Sequence, residues 1–479
     1  MTAGAVPPPA RARAAAWSAV AVGSLSRRLR LGSGSVVGGR VGLLVDPGLL
    51  EALGRGRTAA LVTGTNGKTT TTRLLVAALG GPGAVATNAT GSNLPPGWAG
   101  ALAATPAVPA VLEVDEGYLG RAVGAFEPSV VTLLNLSRDQ LDRVSEVRMV
   151  AARFRSALSG FAGTVVANAD DPLVVWAAGT ASSVVWVGAG ELWRSDAVGC
   201  PACDGPVLFD PGGRGWSSSC GLARPAPSLE LEDEELVTPG GGRHPLSLAL
   251  PGRCNRANAA MATAAAGVLG VGPDAALAAM AEVRDVEGRF RTVTAGPVTA
   301  RLLLAKNPAG WAELLDLLEG GTSPVVVGIN ARVADGHDPS WLWDVAFERL
   351  AGRRVVATGE RGRDLAVRLR YAGVAHATAA DQLDALAASG SASVEYVGNY
   401  TAFQDLRRRL ERDGAGRALT VHRFPSPAAV PSARVAPLEA AAGEPDHRRR
   451  RRDGVSPLRV VVVHPDLLGT YGDGGNGRV

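Results

Sequence analysis

The strongest constraint on the fold of this chain is an alternation that begins at Ala59. Apolar runs of strand length (AALVTG, AVLEVDE, VVTLLNLS, GTVVANADD and SVVWVG) take turns with segments of helical pattern, and each run ends in polar or glycine residues. Runs that stay apolar through successive positions are buried on both faces, as in a parallel sheet covered by helices on both sides. In such sheets chemistry collects at the carboxyl ends of the strands. A second series, RLLLAK, PVVVGIN, RRVVATG and SASVEYVG, follows Pro297. The pattern predicts an α/β protein: a central domain built on a parallel sheet, then a Rossmann-like α/β domain.

A length of 479 residues accommodates two or three domains. The 49 basic and 45 acidic residues leave a formal charge of only +4, so no global basic field points to nucleic acid. No run of 18 apolar residues is present to span a bilayer. Four cysteines make no disulfide framework, and with no export signal the expected location is cytoplasmic. Residues Ala10 to Leu31, with arginines at 11, 13, 27, 28 and 30, read as an amphipathic helix packed on the protein, with peripheral contact to a membrane surface as the alternative. The expected divisions are an N-terminal helix and lead-in (1–57), the central domain (58–297) with a Cys-rich knuckle inserted at 199–225, and the C-terminal domain (298–424). A Pro/Ala-rich disordered linker (425–457) and a strand-like terminal segment (458–479) follow.

All but two of the basic residues are arginine; the lysines are Lys68 and Lys306. A compact ammonium is hard to replace where it must fit beside phosphates, so both lysines are candidate site residues. Lys68 stands in Gly64-Thr65-Asn66-Gly67-Lys68-Thr69-Thr70, between a strand and the helix TTTRLLVAAL. Glycines let successive backbone N–H groups turn toward an anion, and the helix N-terminus adds positive potential. In a phosphate loop of this kind Lys68 reaches the terminal phosphates and the Thr69 hydroxyl ligates Mg2+. Val62 occupies the place of the first glycine in the strict spacing. The next strand ends in Glu113-Val114-Asp115-Glu116, and Glu113 is the preferred magnesium carboxylate, with a solvated acidic turn as the alternative for the other two.

Taken together, GTNGKTT, the Glu113 strand, NADDP at 168–172, NRAN at 255–258 and GRF at 288–290 resemble the ATP site of the Mur ligase superfamily. RDQLDR, with Asp139-Gln140 where most peptidoglycan ligases have Asp-His, is similar to the MurT branch, the ligase subunits of lipid II isoglutaminyl synthases. LLLAKNPAGW (302–311), ADGHDPSWLWD (334–344) and LRYAGV (369–374) resemble the C-terminal domain of that branch. The resemblance implies ATP- and Mg2+-dependent amidation of the D-glutamate α-carboxylate of lipid II to D-isoglutamine through an acyl phosphate. It also implies that Asn258 contacts adenine, Asn255 supports it, Arg289 reaches the nucleotide from the hinge, and Lys306 meets phosphate or the activated carboxylate when the domains close.

The implied ammonia source is a GatD-type glutamine amidotransferase partner, to whose Cys–His pair the ligase lends an aspartate. Asp335, Asp338 and Asp344 are the candidates, with Asp338 favoured and a helix cap or surface pair as the alternative for each. The implied substrate, lipid II, is met at the inner membrane leaflet. LRVVVVHPDLLGTYGDGGN (458–476) resembles the start of GatD itself, so the chain reads as a truncated fusion or a frameshifted product lacking glutaminase activity. Cys200-x2-Cys203 and Cys220 make three of the four thiols of a zinc ribbon, an insertion the family also carries, with Ser217 at the position expected of the fourth. Three thiolates with water, Asp204 or Asp210 make a weaker zinc site, with a small loop that has lost its metal as the alternative. Competing readings are a folylpolyglutamate-type amino-acid ligase and a catalytically dead scaffold for an amidotransferase.

Overall fold

A computed structural model describes residues 9–29, 34–88, 92–139, 147–190, 192–211, 214–284, 290–295 and 298–413. Arg289, Gln140, the 425–457 linker and the GatD-like segment lie outside the described residues.

Three helices, α1 (Ala10–Arg28), α2 (Ser35–Val45) and α3 (Leu49–Gly54), precede the first strand, where the sequence suggested one. The second was concealed by its glycines, which ordinarily disfavour helix. Here they permit close backbone packing: a Cβ on Gly38 would lie 2.2 Å from the Ala19 carbonyl oxygen, and one on Gly39 1.8 Å from that of Pro96.

The central domain then runs β1 (Thr58–Thr63), α4 (Lys68–Ala78), β2 (Ala86–Thr87), α5 (Pro95–Ala104), β3 (Pro109–Glu113), α6 (Leu119–Phe126) and β4 (Val130–Leu133). It continues with α7 (Val147–Leu158), β5 (Thr164–Asn168), α8 (Pro172–Ala178) and β6 (Val184–Gly188). A hairpin of β7 (Val207–Phe209) and β8 (Trp216–Ser218) forms the knuckle, and β9 (Leu229–Glu232), β10 (Glu235–Val237) and β11 (Arg243–Pro245) make an antiparallel ribbon. Helices α9 (Arg253–Val268) and α10 (Pro273–Ala281) close the unit. The nine-stranded sheet has the order β11-β10-β9-β6-β5-β4-β1-β3-β2, parallel from β6 through β2.

Side-chain alternation along β1 shows why the sheet needs two covers. Ala59 and Leu61 join the core under α5 to α8, whereas Ala60 and Val62 join the core under α4, α9 and α10. Trp98 is the largest side chain in the first core; it packs edge-on against Phe126 at 5.8 Å, and its indole N–H donates to the Glu113 carbonyl at 3.0 Å. Trp98→Ala is expected to destabilise the chain by about 3–5 kcal/mol, readable as a lower denaturant midpoint.

The second sheet contains β12 (Phe290–Ala295), β13 (Val298–Leu304), β14 (Val325–Gly328), β15 (Val355–Thr358), β16 (His376–Thr378) and β17 (Ser393–Gly398), in the order β12-β13-β17-β14-β15-β16. All pairs are parallel except β12 with β13. Helices α11 (Pro308–Leu318) and α12 (Gly362–Tyr371) cover one face, and α13 (Gln382–Ala388) and α14 (Tyr400–Asp413) the other. The α/β class and the doubly covered parallel sheets expected from the sequence are therefore present.

Candidate functional site

The GTNGKTT segment forms the turn from β1 into α4. Gly64 and Gly67 adopt φ of +134° and +87°, and neither has room for a side chain. A Cβ on Gly64 would lie 2.9 Å from the Asn135 carbonyl oxygen, and one on Gly67 2.3 Å from Asn258 Oδ1. The cap residue of α4, Gly67, has no side chain with which to accept from the N–H groups of the first turn. An anion completes such a helix end. Lys68 is 4% exposed; its Nζ donates to the Gly64 carbonyl at 2.6 Å and faces Glu116 at 3.2 Å. The Thr69 hydroxyl donates to Glu113 Oε2 at 2.8 Å, which brings together the two side chains expected at magnesium. Loop glycines, an ammonium and a hydroxyl–carboxylate pair thus form a donor set that fits a magnesium-bound triphosphate.

Glu113 is buried, and its backbone is clamped by Asn88, whose amide accepts from the Glu113 N–H and donates to its carbonyl, both at 2.8 Å. The acidic turn after it divides in two. Asp115 caps the following turn by accepting from the Gly117 N–H, whereas Glu116 faces Lys68. Thr65 and Asn66 are tied to the loop after β4: the Thr65 hydroxyl donates to the Ser137 carbonyl at 3.1 Å, and Asn135 brackets the Asn66 backbone. That loop is held in turn by Asp171, which accepts from the Leu136 N–H at 2.7 Å while capping α8. Burial pushes the Asp171 carboxyl up to about 6, against the pull of the three backbone N–H groups it accepts from, and nearby Asp196 adds to the rise.

The C-terminal domain meets the loop directly. Lys306 Nζ bonds Asp139 across the cleft, and Asn307 donates to Asp139 Oδ1 at 3.3 Å and exchanges amide bonds with Asn66 at 3.2 and 3.3 Å. Burial alone would raise the Asp139 carboxyl. The charge and hydrogen bond of Lys306, the charge of Lys68 and the Asn307 bond together hold it below its ordinary value. Asp139 therefore feels both lysines of the chain. Its depressed value means that this bridge is fully formed above the usual carboxylate range and is lost only as pH falls through the still lower folded value.

Beside the loop lies a cavity of about 150 Å3 lined by Gly67, Thr70, Asn168, Asn255, Asn258 and, from the other domain, Leu317. Asn258 also accepts from the Thr71 hydroxyl at 3.2 Å, and Asn255 donates to the Pro251 carbonyl at 2.6 Å. Arg253 pairs with Glu313 across the domain boundary. Cys254 borders this cavity, its thiol pushed up to about 12 by burial and by Glu313.

The three candidate aspartates differ. Asp335 is buried and committed to the backbone and hydroxyl of Thr401. Asp338 is buried and accepts from the Ser340 N–H at 2.8 Å, and Asp344 is exposed and pairs with Arg138 of the central domain at 3.4 Å. In the knuckle the sulfurs of Cys200, Cys203 and Cys220 lie within 4.8 Å of one another. The serine beside them is not Ser217, which β8 turns outward, but Ser218, whose hydroxyl lies 3.5 Å from the Cys203 sulfur. That hydroxyl, the Gly205 N–H and Cys220 pull the Cys203 thiol down to about 6. Asp204 turns away to Arg148 at 2.6 Å. Sequence reasoning passed over Asn88, gave Asn135, Asp171 and Asn307 no role of their own within the motifs that contain them, and left Glu116 open.

The Mur ligase middle domain family matches residues 62–198, and the MurT ligase C-terminal family matches residues 304–403. The lipid II isoglutaminyl synthase (glutamine-hydrolyzing) subunit MurT of Streptococcus pneumoniae is 30% identical over 374 residues, covering 72% of this chain and 83% of that relative. The subunit of the same name from Staphylococcus aureus strain COL is 26% identical, covering 84% and 99%. Among solved structures, a pseudomurein peptide ligase type C from Methanothermus fervidus shares the fold with a TM-score of 0.57 at 19% identity, covering 74% of this chain and 79% of its own.

Proposed function

The chain belongs to the MurT family of Mur-type ligases, and on that premise we propose that it amidates the D-glutamate α-carboxylate of the lipid II stem peptide, giving D-isoglutamine for peptidoglycan synthesis. The observation that carries the reading is the convergence of both lysines on one cleft, Lys68 from the phosphate loop and Lys306 from the opposing domain, with Asp139 between their charges.

A carboxylate is a poor electrophile, and ATP with Mg2+ supplies the phosphoryl group that converts it into an acyl phosphate. Lys68 and the loop N–H groups hold the phosphates, and Thr69 and Glu113 hold the metal. Asn258 and Asn255 serve the adenine side of the nucleotide and Arg289 reaches it from the hinge, while Gly64, Thr65, Asn66, Gly67 and Thr70 shape the cradle. Lys306 serves the activated carboxylate from the C-terminal domain. Ammonia then adds to the acyl carbon and phosphate leaves.

Neutral ammonia is scarce at pH 7, which favours supply by a GatD-type glutaminase. An exposed, edge-on aromatic pair, Trp343 and Tyr371 at 5.4 Å, includes the chain neighbour of Asp344 and suits docking of such a partner. Asp338 orients the partner's His in this reading. Asp338→Asn keeps the acceptor for the Ser340 N–H. It is expected to leave ammonium-driven turnover intact and to lower glutamine-driven turnover by about 10³-fold or more with supplied GatD. Unimpaired glutamine use would move the role to Asp335 or Asp344. Zinc at Cys200, Cys203 and Cys220 belongs to the same reading, supported by the convergence of three sulfurs and by a Cys203 thiol poised to ionise at neutral pH. In this reading the reaction runs in the cytoplasm at the inner leaflet, where lipid II is met. Among the described residues no helix is long and apolar enough to cross a membrane.

Phosphate release with lipid II and ammonium chloride tests the activity. Ammonium-supported turnover is expected, with none from glutamine alone. Turnover of folate with glutamate would overturn the assignment, and intact nucleotide binding without turnover would favour a scaffold.

A further inference from the structure

The N-terminal helices carry a chemistry that the active site does not use. The first 45 residues contain six arginines (11, 13, 27, 28, 30 and 40) and no Asp or Glu, a local charge of +6. The whole chain carries +4, so its remaining 434 residues sum to −2. Within this acid-free segment α1 and α2 pack on each other through Ala15, Ala19 and Gly23 against Gly38 and Gly42, and on α5. Their inner faces are thereby occupied. Large apolar side chains remain outside: Trp17 is 78% exposed and Leu44 82%, with Leu25, Leu29 and Val37 also exposed. Arg13, Arg28 and Arg40 are exposed on the same two helices.

Single exposed leucines are ordinary, but a tryptophan with several aliphatic side chains on acid-free cationic helices has the composition of an interfacial surface. Indole partitions to the headgroup level of a bilayer, aliphatic chains insert below it, and arginines neutralise anionic headgroups. A second copy of this chain fits less well, because its equivalent face would bring +6 against +6. We propose that the α1–α2 hairpin is a docking surface for an anionic lipid bilayer, which holds the enzyme where its substrate is anchored. The inference rests on the reading of lipid II as substrate only for its purpose; the surface itself is testable without substrate.

The test is sedimentation of the full chain with vesicles of phosphatidylcholine, or of an equal mixture of phosphatidylcholine and phosphatidylglycerol, without ATP or lipid II. Binding to the anionic vesicles is expected to be about tenfold tighter or more and to weaken as salt is raised. The double variant Trp17→Ser/Leu44→Ser and the triple variant Arg13→Gln/Arg28→Gln/Arg40→Gln should each lose about tenfold or more in vesicle affinity. Ammonium-driven turnover of detergent-solubilised lipid II should be unchanged in both. Emission from Trp17, taken as the difference between the chain and Trp17→Phe, should shift to the blue on anionic vesicles. No preference for anionic vesicles, or equal binding by the variants, would overturn the proposal, as would a concentration-dependent dimer abolished by the same substitutions. Loss of turnover in the unsubstituted chain would instead strike the proposed function and leave the surface standing.

Discussion

Replacing Lys68 with alanine is expected to lower ammonium-driven turnover of lipid II by about 10³-fold or more, the scale seen when a cation is removed from a transferring phosphoryl group. The side chain is buried at the start of α4, its ammonium lies against the Gly64 carbonyl at 2.6 Å, and it faces Glu116. It has little freedom to be replaced by a neighbour. Arginine should not restore the rate, because a planar fork does not fit the compact space between the loop carbonyls. The loss should appear in kcat as well as kcat/KM, since charge on the phosphoryl group is greatest in the transition state. A normal rate in Lys68→Ala would remove the residue from the site.

The second large effect is expected at Lys306. Lys306→Ala removes the cation that the C-terminal domain brings to the cleft and leaves the half-buried Asp139 without its main compensating charge. Turnover should fall by about 10²–10³-fold while binding of an ATP analogue to the central domain changes little, because no loop contact to the nucleotide is removed. Asp139 should also respond. With Lys306 present the bridge does not titrate near neutrality. Without it, burial dominates and the carboxyl rises, so the ratio of variant to parent rate should change with pH, beyond the ammonia ionisation that both share. A pH-independent ratio to the parent with an unchanged rate would show that the bridge does not serve catalysis.

The phosphate loop was legible in the sequence because its chemistry is written in backbone: glycines at 64 and 67 are required by positive φ and by the approach of Asn135 and Asn258. Glu113 was legible as a carboxylate ending a buried strand. The residues that hold these groups in place were not. Asn88, Asn135 and Asn307 act by clamping backbone or bridging amides, and asparagines in loops usually signal only turns. Asp171 was visible in NADDP, but its bond to the Leu136 N–H comes from a different loop. Helix α2 was concealed by glycines that serve contact with α1 and α5. The β9–β11 ribbon was concealed by the shortness of its charged strands: LELE alternates over only four residues, and ELV and RHP are too short to show a period. Counting C-x2-C spacing pointed to Ser217, whereas the two-residue period of β8 points it outward and brings Ser218 to Cys203.

The most direct test of the central claim follows the oxygen atoms. Lipid II labelled with 18O in the D-glutamate α-carboxylate would be turned over with ATP and ammonium chloride, and the released phosphate analysed by mass. A carboxylate oxygen that attacks the terminal phosphorus leaves with the phosphate when ammonia takes its place, so one labelled oxygen should appear in each phosphate formed. Phosphate released without label, at a rate matching amide formation, would contradict the acyl-phosphate route and with it the role assigned to the Lys68 loop and the facing Lys306.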